Sequence, residues 1–150
     1  MELRLFDEVC EVVRSLVPAE LGEVHGRSHG YGVKVWLGGP KPGREHYEAQ
    51  VIGTRHVPAA TVLALEIGFH AEHPDERKSE ATLQRLLQAE KRWRKVLGDE
   101  PEAGAFLGNA DWRRVSETWI DPDLSEDGLA FEIGARLTDY VTTLEPLLRP

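Results

Sequence analysis

Histidine and glutamate recur at even-numbered positions in the middle of the chain, at His46, Glu48, Glu66 and His70, with Glu72 two residues further on. Neutral imidazole nitrogens and carboxylate oxygens together can bind a divalent metal, and a carboxylate beside a bound substrate can act as a general base. Such chemistry needs the side chains to converge, so the question is which elements carry them.

Three successive stretches alternate with a period of two. Val33, Val35 and Leu37 interleave with Lys34 and Trp36; Tyr47, Ala49 and Val51 with His46, Glu48 and Gln50; and Leu63, Leu65, Ile67 and Phe69 with Ala64, Glu66, Gly68 and His70. Period two is the strand signature, and side chains two apart share a face. The connections, around Gly38–Arg44 and Arg55–Ala60, are too short for a crossover helix, which predicts an antiparallel meander. One face then carries the apolar residues. The other carries Lys34, Trp36, His46, Glu48, Gln50, Glu66, His70 and Glu72.

Opposed residues on neighbouring strands have Cβ atoms about 4.5–5.5 Å apart, so His46 and Glu48 can meet Glu66 or His70. Four readings of this face follow. As a ligand-binding surface it comprises Lys34, Trp36, His46, Glu48, Gln50, Glu66 and His70. As a metal site it comprises His46, Glu48, Glu66 and His70, the set of a metal-dependent hydrolase in which a carboxylate is the base and the metal polarises the substrate. As an ordinary solvated face it carries little more than a weak Lys34–Glu48 pair. A second copy or another protein covering the face is favoured by Trp36 with Ile52, because interfaces are enriched in Trp. No cofactor is required by the sequence, although a divalent metal is compatible with it.

Other signals have simpler explanations. His70 and His73 are three apart in an extended segment and point to opposite faces. His25 and His29 lie four apart among glycines that argue against a helix, and the segment from His25 to Gly32 reads as a loop. The glycines at 26–30 and 38–43 lack the order of a phosphate cradle, and Ser28 lacks a nucleophile elbow. Lys91–Lys95 is basic, yet cations suit the last turn of a helix and Trp93 falls on its apolar stripe. Asp121, Asp123, Ser125, Asp127 and Glu132 reproduce several positions of a calcium loop, but Glu126 stands where the turn needs glycine. These acids read instead as caps for the helix that follows.

Around the strands the spacing is helical. Leu5, Phe6, Val9, Val12, Val13 and Leu16 form one stripe, closed by Pro18. A second helix runs from an N-cap at Ser79 through Leu83, Leu86, Leu87, Trp93 and Leu97 to Gly98. Asp99–Asp111 is expected to be irregular, and Trp112–Ile120 a fourth strand. Leu129, Ile133, Leu137, Tyr140, Val141, Leu144 and Leu148 mark a long last helix. The order α-β-β-β-α-(β)-α predicts an α+β domain spanning residues 1–150, with a three- to four-stranded antiparallel meander packed on one face by three helices.

The 150 residues are 41% hydrophobic and 29% charged, enough for a packed core without disulfide or metal support. A net charge of −8 disfavours nucleic acid and anionic membranes as partners. The single cysteine, Cys10, cannot form an internal disulfide and suits a reducing compartment. With no basic and apolar leader and no run of about 18 apolar residues, the expected location is the cytoplasm. The element order resembles that of small chaperone-like α+β domains that dimerise and hold a partner segment, a likeness of layout that covers no motif. That layout implies a non-enzymatic homodimer engaging a protein partner, with the metal-dependent hydrolase as the alternative.

Overall fold

A computed structural model describes residues 2–149. It is an α+β fold: helix α1 (Glu2–Leu16), a 3-10 turn (Ala19–Leu21), strands β1 (Val24–His29), β2 (Gly32–Leu37), β3 (Glu45–Ile52) and β4 (Ala64–Ala71), helices α2 (Glu76–Leu87) and α3 (Glu90–Leu97), strands β5 (Glu102–Phe106) and β6 (Asn109–Ile120), and helix α4 (Leu129–Leu148). The strands form one antiparallel sheet in the order β1-β2-β3-β4-β6-β5. The meander of β2, β3 and β4 follows the alternation in the sequence, and β6 is the expected fourth strand, longer than expected.

Two further strands lie where loops are expected. The glycine at position 26 is no turn signal, for it is in β1, opposite Val35. A Cβ there would overlap the Cys10 sulfur, so Gly26 lets α1 lie close on the strand. The chain reverses only at Gly30 and Tyr31. Between Asp99 and Asp111, Gly104 is accommodated in β5, and Gly108 makes the left-handed turn of a tight hairpin into β6.

The second helix is two. Asp75, rather than Ser79, caps α2 by accepting the Arg77 N–H at 3.0 Å, while the Ser79 hydroxyl accepts the His73 N–H. The break follows Leu87. In a continuous helix the Leu86 carbonyl would accept from residue 90, but here it accepts the Ala89 N–H at 3.0 Å and the Trp93 indole N–H at 2.8 Å. Trp93 is thereby fully buried.

Helices α1 and α4 cover the face carrying Val33, Val35, Tyr47, Ala49, Leu65, Ile67, Phe69 and Val115, and α2 flanks β6. Two buried acids tie α4 to this face with their oxygens occupied. Glu145 accepts from Tyr47 Oη at 2.8 Å and from Arg149; Glu117 accepts from Tyr140 Oη at 2.7 Å, Arg136 Nε at 2.9 Å and Trp119 Nε1 at 2.8 Å.

The opposite, even-numbered face is also covered, by the chain's own connections. The Gly38–Arg44 loop folds over Trp36 and His46: the Trp36 indole N–H donates to Gly39 O at 2.9 Å and His46 Nδ1 lies 3.2 Å from Gly43 O. The Gly53–Leu63 loop packs Val57 and Ala60 on Ile52 and Ala64. Its return is fixed by Asp121, whose carboxylate accepts the N–H groups of Thr61, Val62 and Leu63 at 2.7–3.1 Å. The β5–β6 tip lays Phe106 edge-on to His70, ring centres 4.6 Å apart, with Trp112 against Phe106. At the turn, a Cβ on Gly108 would lie 3.0 Å from the His56 ring, so the tip and the 53–63 loop meet.

The close approach at Gly26 gives a direct test of helix-on-strand packing. Gly26→Ala is expected to destabilise the fold by about 1–3 kcal/mol in urea titrations, as overpacking does. Combining it with Cys10→Ala should cost less than the sum of the two single changes. Strict additivity would show that the strand and the sulfur are not in contact.

Candidate functional site

The antiparallel register of β3 and β4 sets His46 directly opposite His70, Glu48 opposite Gly68 and Gln50 opposite Glu66. Beyond the end of β4 the Glu72 N–H donates to Arg44 O at 2.7 Å, which carries the alternation one step further and keeps Glu72 on the same face. Glu48 is therefore diagonal to His70, and Glu72 diagonal to His46. Long side chains on diagonal positions can meet.

Four atoms converge there. His46 Nε2 lies 3.1 Å from Glu48 Oε1 and 3.4 Å from Glu72 Oε2; His70 Nδ1 lies 3.2 Å from each of the same two oxygens. All four lie within 4.8 Å of one another. The imidazoles are buried, at 1% and 0% exposure, whereas the Glu48 and Glu72 side chains keep 11% and 14%. Solvent therefore reaches the group from its carboxylate side.

The outer nitrogen of each ring is held as well. His46 Nδ1 is 3.2 Å from the Gly43 carbonyl, and His70 Nε2 is 2.7 Å from Glu66 Oε2. Glu66 is fixed in turn: its Oε1 accepts from Gln50 Nε2 at 2.7 Å and its Oε2 from the Ser116 hydroxyl at 2.6 Å. Ser116 Oγ then accepts from Arg114 Nη1 at 2.8 Å, and Arg114 reaches Glu102 on β5. Gly68 makes the Glu66–His70 contact possible. Cα atoms four apart in a strand are about 13 Å distant, so both side chains must lean over position 68. A Cβ on Gly68 would also lie 2.6 Å from Ser116 Cβ, so the missing side chain lets β6 approach closely.

These outer contacts fix where the protons are. A carbonyl and a carboxylate can only accept, so His46 Nδ1 and His70 Nε2 carry N–H, and the neutral rings turn bare lone pairs toward the Glu48 and Glu72 oxygens. Four lone-pair contacts repel unless the centre also holds positive charge. Two further protons supply it, though each N–H then faces two oxygens at once; a single divalent cation satisfies all four atoms together. Burial disfavours protonated His70, but Glu66, Glu48 and Glu72 override it and hold its pKa well above the ordinary 6.5. His46 is raised too: burial opposes its charge, and hydrogen bonds to Glu48 and Glu72 prevail. Glu48 and Glu72 resist the effect of burial through the two imidazoles and lie below the ordinary carboxylate range, Glu72 at about 2.

The residues singled out in the sequence are distributed unevenly. His46, Glu48 and His70 meet at one point, while Glu66, expected beside them as a ligand, stands behind His70 and orients it. Glu72 takes the fourth place, and parity alone puts it on this face. Gln50 serves Glu66. Lys34 is opposite Glu48 in register, yet that carboxylate turns to the histidines. Trp36 is 5% exposed and stacks on His25, ring centres 6.0 Å apart, rather than offering an open aromatic surface. Arg114 and Ser116 come from β6, and the Gly43 carbonyl from a loop whose course no side-chain pattern reveals. Gly68 does carry a sequence signal, since glycine inside a strand marks close backbone approach.

Elsewhere, His73 pairs with Glu45 at 2.8 Å, away from the centre. His25 and His29 do not converge: the first contacts Gly38 O and the second accepts the Tyr31 N–H. Asp121 and Asp123 are no caps for α4, which begins after Gly128; Asp121 holds the 61–63 backbone, and Asp123 the N–H and hydroxyl of Ser125. Cys10 is buried, which pushes its thiol pKa up. No family model, curated protein or solved structure matches the chain.

The linkage of these groups to folding sets a pH profile for chelator-treated protein. The histidine contribution is complete below about pH 6.5 and lost as pH rises through the elevated folded values. The carboxylate contribution is complete above pH 4.5 and lost as pH falls toward the depressed ones. Urea midpoints should therefore be highest between pH 4.5 and 6.5 and fall on both sides. A midpoint that keeps rising to about pH 8 contradicts this charge arrangement.

Proposed function

We propose that this protein binds a divalent first-row transition metal, zinc fitting best, through His46 Nε2, Glu48 Oε1, His70 Nδ1 and Glu72 Oε2. The observation that carries the reading is the double anchoring of the histidines. Each imidazole has its outer nitrogen on a fixed acceptor and its inner nitrogen aimed at the same point, the outer-shell arrangement that metal-ligating histidines use.

Distances support it. Bonds of about 2.0–2.1 Å in a tetrahedron give six edges of about 3.3–3.4 Å; four of the six, the nitrogen–oxygen separations, are 3.1, 3.4, 3.2 and 3.2 Å, and the other two are at most 4.8 Å. The donor set supports it too, because paired imidazoles favour zinc and its neighbours over magnesium or calcium, which prefer oxygen alone. A protein-binding role for this face has less support, since Trp36 and the strand centre lie under the chain's own loops. The metal-dependent alternative is thus the better-founded of the two readings of the sequence.

Zinc titrated into untagged, chelator-treated protein should bind at one equivalent and raise the unfolding midpoint, corresponding to about 2.7 kcal/mol of added stability when free zinc is a hundred times its Kd. His46→Ala and His70→Ala should abolish the shift. Glu66→Gln, which leaves all four donors in place, should weaken zinc about 10- to 100-fold. Calorimetry detecting no zinc uptake, or equal uptake by the histidine variants, would remove the reading.

A further inference from the structure

The four donors are not equivalent. His46, Glu48 and His70 lie inside β3 and β4: Glu48 and His70 have a paired strand on each side, and His46 is paired with His70 across the two strands. Glu72 lies beyond the last residue of β4. It makes the longest of the four contacts, 3.4 Å to His46 Nε2, and its side chain is the most exposed of the four, at 14%. Among the described residues the Glu48 and Glu72 carboxylates have only the histidines as hydrogen-bond partners, whereas Gly43 O and Glu66 hold the two rings, so of the carboxylates it is Glu72, outside the strand, that is the less fixed.

Two histidines and one glutamate on rigid strands make the three-ligand set of catalytic zinc sites, which leave a fourth position to water or substrate. Resting on the metal reading above, we propose that Glu72 is the exchangeable member of the centre: His46, Glu48 and His70 hold the metal, and Glu72 stands beside a fourth position where water attacks a carbonyl substrate. In that step a water proton passes to the Glu72 carboxylate as the water oxygen bonds to the carbonyl carbon. The C–O or C–N bond to the leaving group then breaks with its electron pair, and Glu72 returns the proton to the departing atom.

Charge indicates the substrate class. Glu48, Glu66 and Glu72 outweigh a dication by one unit, and Lys34, across from Glu48, brings the centre at most to neutrality. Arg114 is already matched by Glu102. A phosphate dianion gains little at such a centre, while a neutral ester or amide suits it. Phe106, backed by Trp112, places an apolar ring against His70, which favours an apolar substituent.

The test uses the full untagged chain and its Glu72→Gln variant, loaded with zinc for calorimetry and kinetics and with cobalt(II) for absorption spectra. Glu72→Gln should still bind zinc at one equivalent, more weakly than wild type but far more tightly than His46→Ala or His70→Ala, and acetohydroxamate, a small chelator of exchangeable positions, should shift the cobalt spectrum of both proteins. Zinc-loaded wild type should hydrolyse 4-nitrophenyl acetate faster than the chelated protein, and Glu72→Gln should lose about 10²- to 10⁴-fold of that rate. Loss of zinc binding in Glu72→Gln would make Glu72 a permanent ligand and overturn the inference while leaving the metal centre standing. A cobalt spectrum indifferent to acetohydroxamate, no zinc-dependent hydrolysis, or faster turnover of 4-nitrophenyl phosphate would overturn it as well. Failure of wild type to bind zinc would overturn the centre and this inference together.

Discussion

Two imidazoles side by side on adjacent strands, sharing two carboxylates in a place nearly closed to water, set the terms for everything around them. Charges there interact more strongly than at the surface, and each unmatched one costs more. The surrounding polar groups follow from that constraint. Gly43 O and Glu66 fix the rings, Gln50 and Ser116 fix Glu66, and Arg114 with Glu102 carries the chain of contacts to the edge of the sheet. Such a network restricts each side chain to one arrangement, which is the preorganisation a metal or catalytic centre requires.

The sheet thus has two covered faces with different chemistry, the second still reached by solvent at Lys34, Gln50 and Glu72. One is closed by helices over valine, leucine and aromatic side chains, with the buried acids Glu117 and Glu145 linking α4 to the strands. The other is closed by three connections that are polar or glycine-rich, and its small apolar cluster of Val57, Ala60 and Ala64 lies away from the histidines. Loops carry more conformational freedom than helices, and functional groups are commonly placed beneath them on a rigid scaffold. Here the scaffold is the β3–β4 pair, held from one side by β2 and from the other by β6.

Alternation alone made the meander legible, because a period of two admits no other regular structure over six to eight residues and assigns each side chain to a face. It also put His46, Glu48, His70 and Glu72 on one side. The β1 strand was hidden by Gly26, whose role is contact with Cys10 rather than a turn, and β5 by Pro101, Gly104 and Gly108 so close together. The break between α2 and α3 was hidden because the apolar spacing continues across it, while the Trp93 indole takes the Leu86 carbonyl. In each case a tertiary contact overrides the local pattern.

Strand parity in the sequence determined which side chains could share a face, and composition determined that a core would form. Neither sets the distances within that face. Only the tertiary structure decided that Glu72 meets the histidines while Glu66 stands behind one of them, because the β3–β4 register and the gap at Gly68 direct the side chains after their faces are assigned. It also decided that loops close over the two imidazoles, since the paths of glycine-rich connections are set by what they pack against, which no local periodicity encodes.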